Sequence, residues 1–164
     1  MLRDIIVNGN NHADATYKTS GAYKTGMGVT KTLSAGTVAI PAAETASDVF
    51  VLQKARTVSG DMAARTQFSD YEPEFNEFAE GELCVLYTYA PGEQFATDQY
   101  VAADMVTANI GKYVAVNTSG KWCVATATTV TSKYVFKGTM SDAGHTLAVI
   151  EVVDTPAANA ASAG

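Results

Sequence analysis

Short runs in which apolar and polar residues alternate follow one another along most of the chain. In the clearest run, Asp48–Lys54, Val49, Val51 and Gln53 alternate with Phe50 and Leu52. A period of two residues is typical of β-strands. The same criteria predict further strands at Val29–Leu33, Thr37–Ile40, Leu83–Tyr89, Tyr100–Ala102, Lys112–Asn117, Lys121–Val130, Lys133–Lys137 and Thr146–Val153. Short strands separated by turn signals indicate a sandwich or a small barrel.

The stretch from Thr57 to Gly81 departs from this alternation, because aromatic residues are interspersed there with acidic ones. Tyr71, Phe75 and Phe78 recur at the i, i+4, i+7 spacing of one helix face. Pro73 is compatible with a first helical turn, where its missing N–H has no intrahelical partner. The pattern therefore predicts one short helix around Glu72–Phe78.

The two ends of the chain lack a sustained apolar period. Residues 1–26 are polar and rich in Asn, Thr, Gly and Tyr, and residues 155–164 contain no large apolar side chain. Without apolar surface to bury, such segments do not offset the entropy lost on ordering. We predict an N-terminal arm (1–26), a β-rich domain (27–154) and a flexible C-terminal tail (155–164). The expected fold is mostly β, a small β-barrel or β-sandwich with one short helix and flexible N- and C-terminal arms.

Charge and hydropathy exclude two classes of partner. The net charge of −6 and the absence of a basic stripe argue against nucleic-acid binding, which requires clustered Lys and Arg. No segment reaches the apolar length of a signal peptide or a membrane span, so we expect neither a membrane partner nor secretion. The protein is expected to be made in the cytoplasm.

Candidates for catalysis are few. Ser141, Asp142 and His145 lie within five residues, but neighbours in one turn usually face solvent, so we interpret them as a chain reversal. The acidic run Asp70–Glu80 lacks the glycine and the ligand order of a calcium loop. Gly26-Met27-Gly28 is interpreted as a flexible entry into the first predicted strand. We predict no catalytic residues, no cofactor and no metal site.

Two residue types that often carry function have structural interpretations here. Cys84 and Cys123 do not match paired zinc or redox spacing, so we predict buried, reduced and unlinked thiols. Trp122 lies within a predicted strand and is interpreted as a core or interface residue rather than as a carbohydrate platform.

The order of several features resembles the decoration (cement) proteins encoded beside the major capsid protein of tailed bacteriophages. These features are an opening strand pair at Gly28–Ile40, the acidic aromatic stretch Phe68–Phe78, and the segments Pro91–Phe95, Ala96–Tyr100, Gly111–Val114 and Gly120–Trp122. The likeness covers about residues 24–154. It implies a β-rich structural protein on the capsid exterior of the virion, with the major capsid protein as partner and no catalytic residues.

Within this hypothesis, the strand-like residues Asp4, Ile5, Ile6 and Val7 are the candidate partner-binding segment, since an ordered arm can add a strand to a neighbouring sheet. A homo-oligomer on the capsid, trimer or dimer, is a further option. The alternatives are another virion subunit of the tail tube or head fibre, a carbohydrate-binding β-sandwich, and a small hydrolase built on the Ser141–His145 turn.

Overall fold

The computed structural model describes residues 1–8, 12–55, 69–126 and 128–160, and strands dominate these ranges. The strands are β1 (Leu2–Ile6), β2 (His12–Asp14), β3 (Lys18–Thr19), β4 (Tyr23–Lys24), β5 (Gly28–Thr32), β6 (Thr37–Ala39), β7 (Phe50–Lys54), β8 (Glu77–Phe78), β9 (Cys84–Thr88), β10 (Gln94–Thr97), β11 (Val114–Val116), β12 (Trp122–Val124), β13 (Ser132–Asp142) and β14 (His145–Ala157). One short helix, α1 (Pro73–Asn76), and one 3-10 turn (Thr107–Asn109) complete the described elements. The fold is mostly β, as predicted.

A four-stranded antiparallel sheet in the order β1-β10-β14-β13 forms one part of the molecule. Its longest strands, β13 and β14, form a hairpin joined by the two residues Ala143 and Gly144. Both residues have positive φ, 49° and 82°, which is the backbone of a type I′ turn and matches the twist of the flanking strands. The predicted turn at Ser141–Gly144 is therefore confirmed, while both strands are longer than predicted.

A second sheet has six strands in the order β2-β9-β7-β5-β6-β3. Its pairs are antiparallel except for β3 with β6, which is parallel. Two small antiparallel sheets, β11-β12 and β4-β8, pack beside these larger ones. None of the sheets in the described ranges closes into a barrel.

Successive side chains of β7 point to opposite faces of the six-stranded sheet, and each face packs against a core cluster. Val51 belongs to the larger core cluster, which also contains Phe95, Phe136 and Ile150 of the four-stranded sheet. Leu52, the next residue, belongs to a smaller cluster on the other face. The members of this smaller cluster are Tyr23, Val29, Val38, Leu52, Phe78, Cys84 and Leu86.

Aromatic side chains join the parts of the larger cluster. Trp122 packs edge-on against Phe95 and Tyr134, with ring centroids 5.3 and 4.9 Å apart, and is fully buried. Its Nε1–H donates to the carbonyl of Gly26 at 3.1 Å. The prediction that Trp122 is a core residue is confirmed, and its burial leaves it unable to stack on a sugar.

Most predicted strands coincide with observed ones, with two exceptions. Tyr100–Ala102 is not a strand, because only Tyr100 forms a single bridge, to Trp122, and the chain then turns. The predicted strand Lys121–Val130 ends at Val124. The predicted helix exists but ends at Asn76, since Glu77 and Phe78 pair with β4 as a strand. Phe68 lies outside the described residues.

The described residues of the predicted N-terminal arm differ from the expectation, because they form strands paired with the rest of the chain. β1 pairs with β10, β2 with β9, β3 with β6 and β4 with β8. Met1 and Leu2 are 2% and 5% exposed, and Tyr23 is also in the core. Backbone pairing therefore orders a segment whose side-chain pattern carries little apolar signal.

The predicted C-terminal tail is also partly held. β14 continues to Ala157, and the Asn159 side chain lies beside Tyr113, which immediately precedes β11. Its Oδ1 accepts the Tyr113 N–H at 2.9 Å, and its Nδ2 donates to the carbonyls of Tyr113 and Ala125. The amide thus pairs with Tyr113 as a neighbouring strand would, and fixes the chain at this position.

Candidate interaction surface

β1 is an edge strand, because in the described chain only β10 pairs with it. Its register with β10 places Leu2 opposite Thr97 and Asp4 opposite Phe95. The register then shifts, so that Ile5 is an extra residue and Ile6 lies opposite Gln94. A bulge of this kind increases local twist and re-aims side chains. It separates a packed first half of β1 from an exposed second half.

The exposed half is aliphatic. Ile5, Ile6 and Val7 are 40%, 43% and 41% exposed. Large apolar residues at an open sheet edge favour pairing with another chain. These residues and Asp4 are the segment that the sequence predicted as partner-binding. Asp4, Ile5 and Ile6 lie on the edge strand β1 and Val7 follows it directly, and an open strand edge is the geometry needed for strand addition. Whether a partner binds there stays a prediction.

The packed half of β1 is anchored by hydrogen bonds from three directions. The α-amino group of Met1 donates to the carbonyl of Thr25 and to the side chains of Asn76 and Asp98. Arg3 donates to Asp70 at 2.6 Å and to Asp142 at 2.8 Å. These contacts tie the strand to α1, to the end of β10 and to the β13–β14 turn.

Asp4 and Asn8 fix the two sides of the exposed segment. The hydroxyl of Tyr89 donates to the Asp4 carboxylate at 2.6 Å, and burial together with this bond raises the pKa of Tyr89. Beyond the strand, the Asn8 N–H donates to Glu93 Oε1 at 2.9 Å. Ile5, Ile6 and Val7 are therefore presented between two fixed points.

Glu93 is a functional candidate that the sequence did not indicate. The residue is fully buried, and its carboxylate accepts backbone N–H groups from Asn8 and Ala90. Buried carboxylates need such donors, because an unsatisfied charge inside a protein is strongly unfavourable. Nothing in the residues around Pro91-Gly92 predicts that this side chain would reach a segment 85 residues earlier.

Asp142 and His145, in the Ser141–His145 turn, contact Arg3 and Tyr71. The Asp142 carboxylate accepts hydrogen bonds from Arg3 and from the Tyr71 hydroxyl at 2.9 Å, which lower its pKa. His145 stacks on the Tyr71 ring with centroids 3.7 Å apart. Asp142 is thus bonded to Arg3 and Tyr71 rather than oriented on His145 as in a Ser-His-Asp triad.

The two thiols lie in the interior, as predicted. Cys84 and Cys123 are both free and buried. Burial raises the pKa of Cys84 to about 11 and that of Cys123 to about 12. Because the thiolate is the reactive form, thiols with such pKa values are poor nucleophiles near neutral pH.

An open groove lies on the six-stranded sheet, between the β5–β6 turn and the Pro41–Asp48 loop. The ammonium of Lys31 in its wall is 2.6 Å from the Asp14 carboxylate and lies over the ring of Phe50. The groove is thus lined by both polar and apolar residues, and the Lys31 ammonium in its wall is already neutralised by Asp14.

Neither a metal centre nor a membrane-spanning helix is found in the part of the chain that the structure describes. No group of three or more His, Cys, Asp or Glu side chains there is arranged to hold a metal ion. No described helix has the length and apolar character needed to cross a membrane.

Comparison with models of protein families, with characterised proteins and with solved structures finds no match in any of the three. The functional interpretation therefore depends on the site itself, above all on the β1 edge.

Proposed function

We propose that this chain is a structural virion protein that binds the outer surface of a phage capsid and reinforces contacts between major capsid protein subunits. The observation that supports it most is the exposed aliphatic edge at Asp4–Val7. An edge of this kind suits a protein whose work is to bind other protein surfaces. The resemblance in the order of sequence features supplies the identity of the partner.

Strand addition explains how this edge would attach. A strand of the capsid protein pairs with the free backbone groups of β1, and its side chains cover Ile5, Ile6 and Val7. Each of these residues is about two-fifths exposed, so covering it contributes on the order of 1 kcal/mol. Several such contacts across a capsid would accumulate through multivalent attachment.

The ordered state of β1 favours this attachment. The sequence predicted a flexible N-terminal arm, which would have to become ordered on binding at about 1–2 kcal/mol of backbone entropy per residue. In the structure, Leu2–Ile6 is already paired with β10 and anchored at Arg3 and Asp4. A preorganised strand does not incur that cost at the moment of binding.

The test is cosedimentation of the purified protein with capsids that lack it, comparing Ile6→Lys with Leu83→Lys. Both side chains are exposed aliphatics, but Leu83 precedes β9 in the six-stranded sheet and serves as the matched control. We expect Ile6→Lys to lower capsid occupancy about tenfold or more, and Leu83→Lys to bind as the wild type does. Equal binding by the two variants would contradict an attachment role for β1.

The location of the bound protein separates the capsid from other virion parts. A tail-tube or head-fibre subunit could also bind its neighbours through an exposed strand edge, so the Ile6→Lys test does not separate these alternatives from a capsid protein. A cryo-EM map of the source particle distinguishes them. Density for the chain on the capsid exterior is expected, whereas density confined to the tail would overturn the capsid assignment.

A further inference from the structure

The four-stranded sheet has a second open edge, on β13. Residues 111–113 cover only the part of β13 around Phe136. The Gly111 N–H donates to the Phe136 carbonyl, and the Phe136 N–H donates to the Lys112 carbonyl. From Lys137 to Met140, no described strand pairs with the outer side of β13. Among the described residues, the sheet is therefore open at both ends of the order β1-β10-β14-β13.

Exposed aliphatic side chains concentrate at these two edges. Of the seven large hydrophobic residues that are exposed in the described chain, three are on the β1 segment, Ile110 is near β13, and Val106 lies four residues before Ile110. A Cβ atom built on Gly138 would lie 3.6 Å from Ile110 Cδ1, which places this side chain directly beside the open part of β13. Val106 and Ile110 flank the 3-10 turn, and the Val106 carbonyl accepts the Asn109 N–H.

The two edges also differ in charge. Lys112 and Lys133 flank the β13 edge, and Lys137 on the same strand pairs with Glu151 at 3.2 Å. The β1 edge carries Asp4, while the neighbouring Arg3 is neutralised by Asp70 and Asp142. Although the net charge of the chain is −6, Lys112 and Lys133 are thus cations near the β13 edge, whereas the β1 edge carries the anion Asp4.

We propose that the β1 edge of one copy binds the β13 edge of a second copy, so that the four-stranded sheet continues from one molecule to the next. Backbone pairing joins the strands, Ile5, Ile6 and Val7 pack against Val106 and Ile110, and Asp4 faces the lysines. The same patch does not meet itself, so the contact is heterologous and closes into a ring or extends as a filament.

The contact between copies does not depend on the proposed function, but both use the same strand, β1. A copy whose β1 edge is covered by another copy cannot offer that edge to a capsid protein. Self-association and capsid binding are therefore competitive at this strand. Self-association also covers an aliphatic edge that would otherwise promote aggregation.

Sedimentation velocity of the full chain with two edge variants tests the contact. Ile6→Lys places a cation on the β1 edge, opposite the lysines, and Ile110→Glu places an anion on the β13 edge, opposite Asp4. We expect the wild type to associate as concentration rises and each variant alone to remain a monomer. An equimolar mixture should associate again, because the intact β1 edge of Ile110→Glu can pair with the intact β13 edge of Ile6→Lys. Leu83→Lys, the control, should associate as the wild type does.

Three results would overturn the proposal, provided that the melting temperatures show the variants to be folded. These are a wild type that remains monomeric at every concentration tested, an Ile110→Glu variant that still self-associates, and a mixture that stays monomeric. Persistent association of Ile110→Glu would indicate a symmetric β1–β1 contact instead. Capsid cosedimentation of Ile110→Glu separates the two proposals, since this variant keeps an intact β1 edge and is expected to bind capsids whether or not self-association occurs.

Discussion

Two glycines near the start of β5 show how single residues determine the packing between sheets. Gly26 has φ +91°, and its carbonyl accepts hydrogen bonds from Trp122 and Thr97. Gly28 has an ordinary φ, but a Cβ there would overlap the Val116 side chain, with Cγ1 at only 3.0 Å. The interpretation of Gly26-Met27-Gly28 as a flexible entry is therefore wrong, because the backbone is closely packed against β10, β11 and β12.

We predict that Gly28→Ala destabilises the protein by about 1–3 kcal/mol, because the added methyl group overpacks the contact with Val116. Chemical denaturation measures the loss. Gly21→Ala is the matched control, since a Cβ there meets only Tyr23 at 3.7 Å, and its effect should be within about 0.5 kcal/mol. Val116→Ala should cost less stability in the Gly28→Ala background than in the wild type, because it relieves the overpacked contact. A Gly28→Ala variant as stable as Gly21→Ala would contradict this account.

At the scale of elements, Asp14 and Lys31 join β2 to β5 across the six-stranded sheet. The Lys31 ammonium lies 2.6 Å from the Asp14 carboxylate and over the rings of Tyr17 and Phe50. Asp14 also accepts hydrogen bonds from the N–H and hydroxyl of Thr16. Hydrogen bonds from Lys31 and Thr16 lower the pKa of Asp14 from 3.8 to about 2.

This shift predicts a pH-dependent contribution to stability. Because the folded protein holds Asp14 ionised more strongly than the unfolded chain does, the contribution is complete above pH 4 and is lost as the pH falls to about 2. We expect Asp14→Asn to lower the melting temperature at pH 6, and the difference from wild type to shrink through this window. Lys31→Gln should make the difference smaller at every pH. A carboxyl resonance of Asp14 that titrates near 4 by NMR would contradict the prediction.

The sequence predicted elements well where apolar alternation is strong and poorly where backbone pairing alone maintains a strand. β7 and β9 were found because Val51, Leu52 and Leu86 are buried. β2 was missed because His12 and Ala13 are exposed, so its side chains carry no apolar signal. β10 was missed because Phe95 is the one large apolar residue in four, and the small Ala96 and Thr97 are buried by the sheets around them.

The candidate site was likewise only partly predictable from the sequence. Ile5, Ile6 and Val7 form a local apolar run inside a polar segment, and such a run is visible in sequence. The partners that position it are distant along the chain, as for Asp4 with Tyr89 and Asn8 with Glu93. The second edge was not predicted, because Ile110 and Gly138 meet only through the fold.

At the scale of the whole molecule, the N-terminal segment belongs to the folded body as well as to the proposed interface. Leu2 is in the larger core cluster with Phe95 and Trp122. Ile6, four residues later, is 43% exposed. Anchoring and presentation are thus divided between the two halves of one short strand, at the bulge near Ile5.

Deletion and point variants should therefore separate the two roles. Leu2→Ala should cost about 2–5 kcal/mol, since it leaves a cavity in the core, and deletion of residues 1–8 should lower the melting temperature further by exposing β10. Ile6→Lys should leave stability within about 0.5 kcal/mol of wild type, because this side chain faces solvent. Thermal unfolding followed by circular dichroism gives the order. A deletion variant that melts with the wild type would show that residues 1–8 are an independent arm, because a strand that contributes to the core cannot be removed without loss of stability.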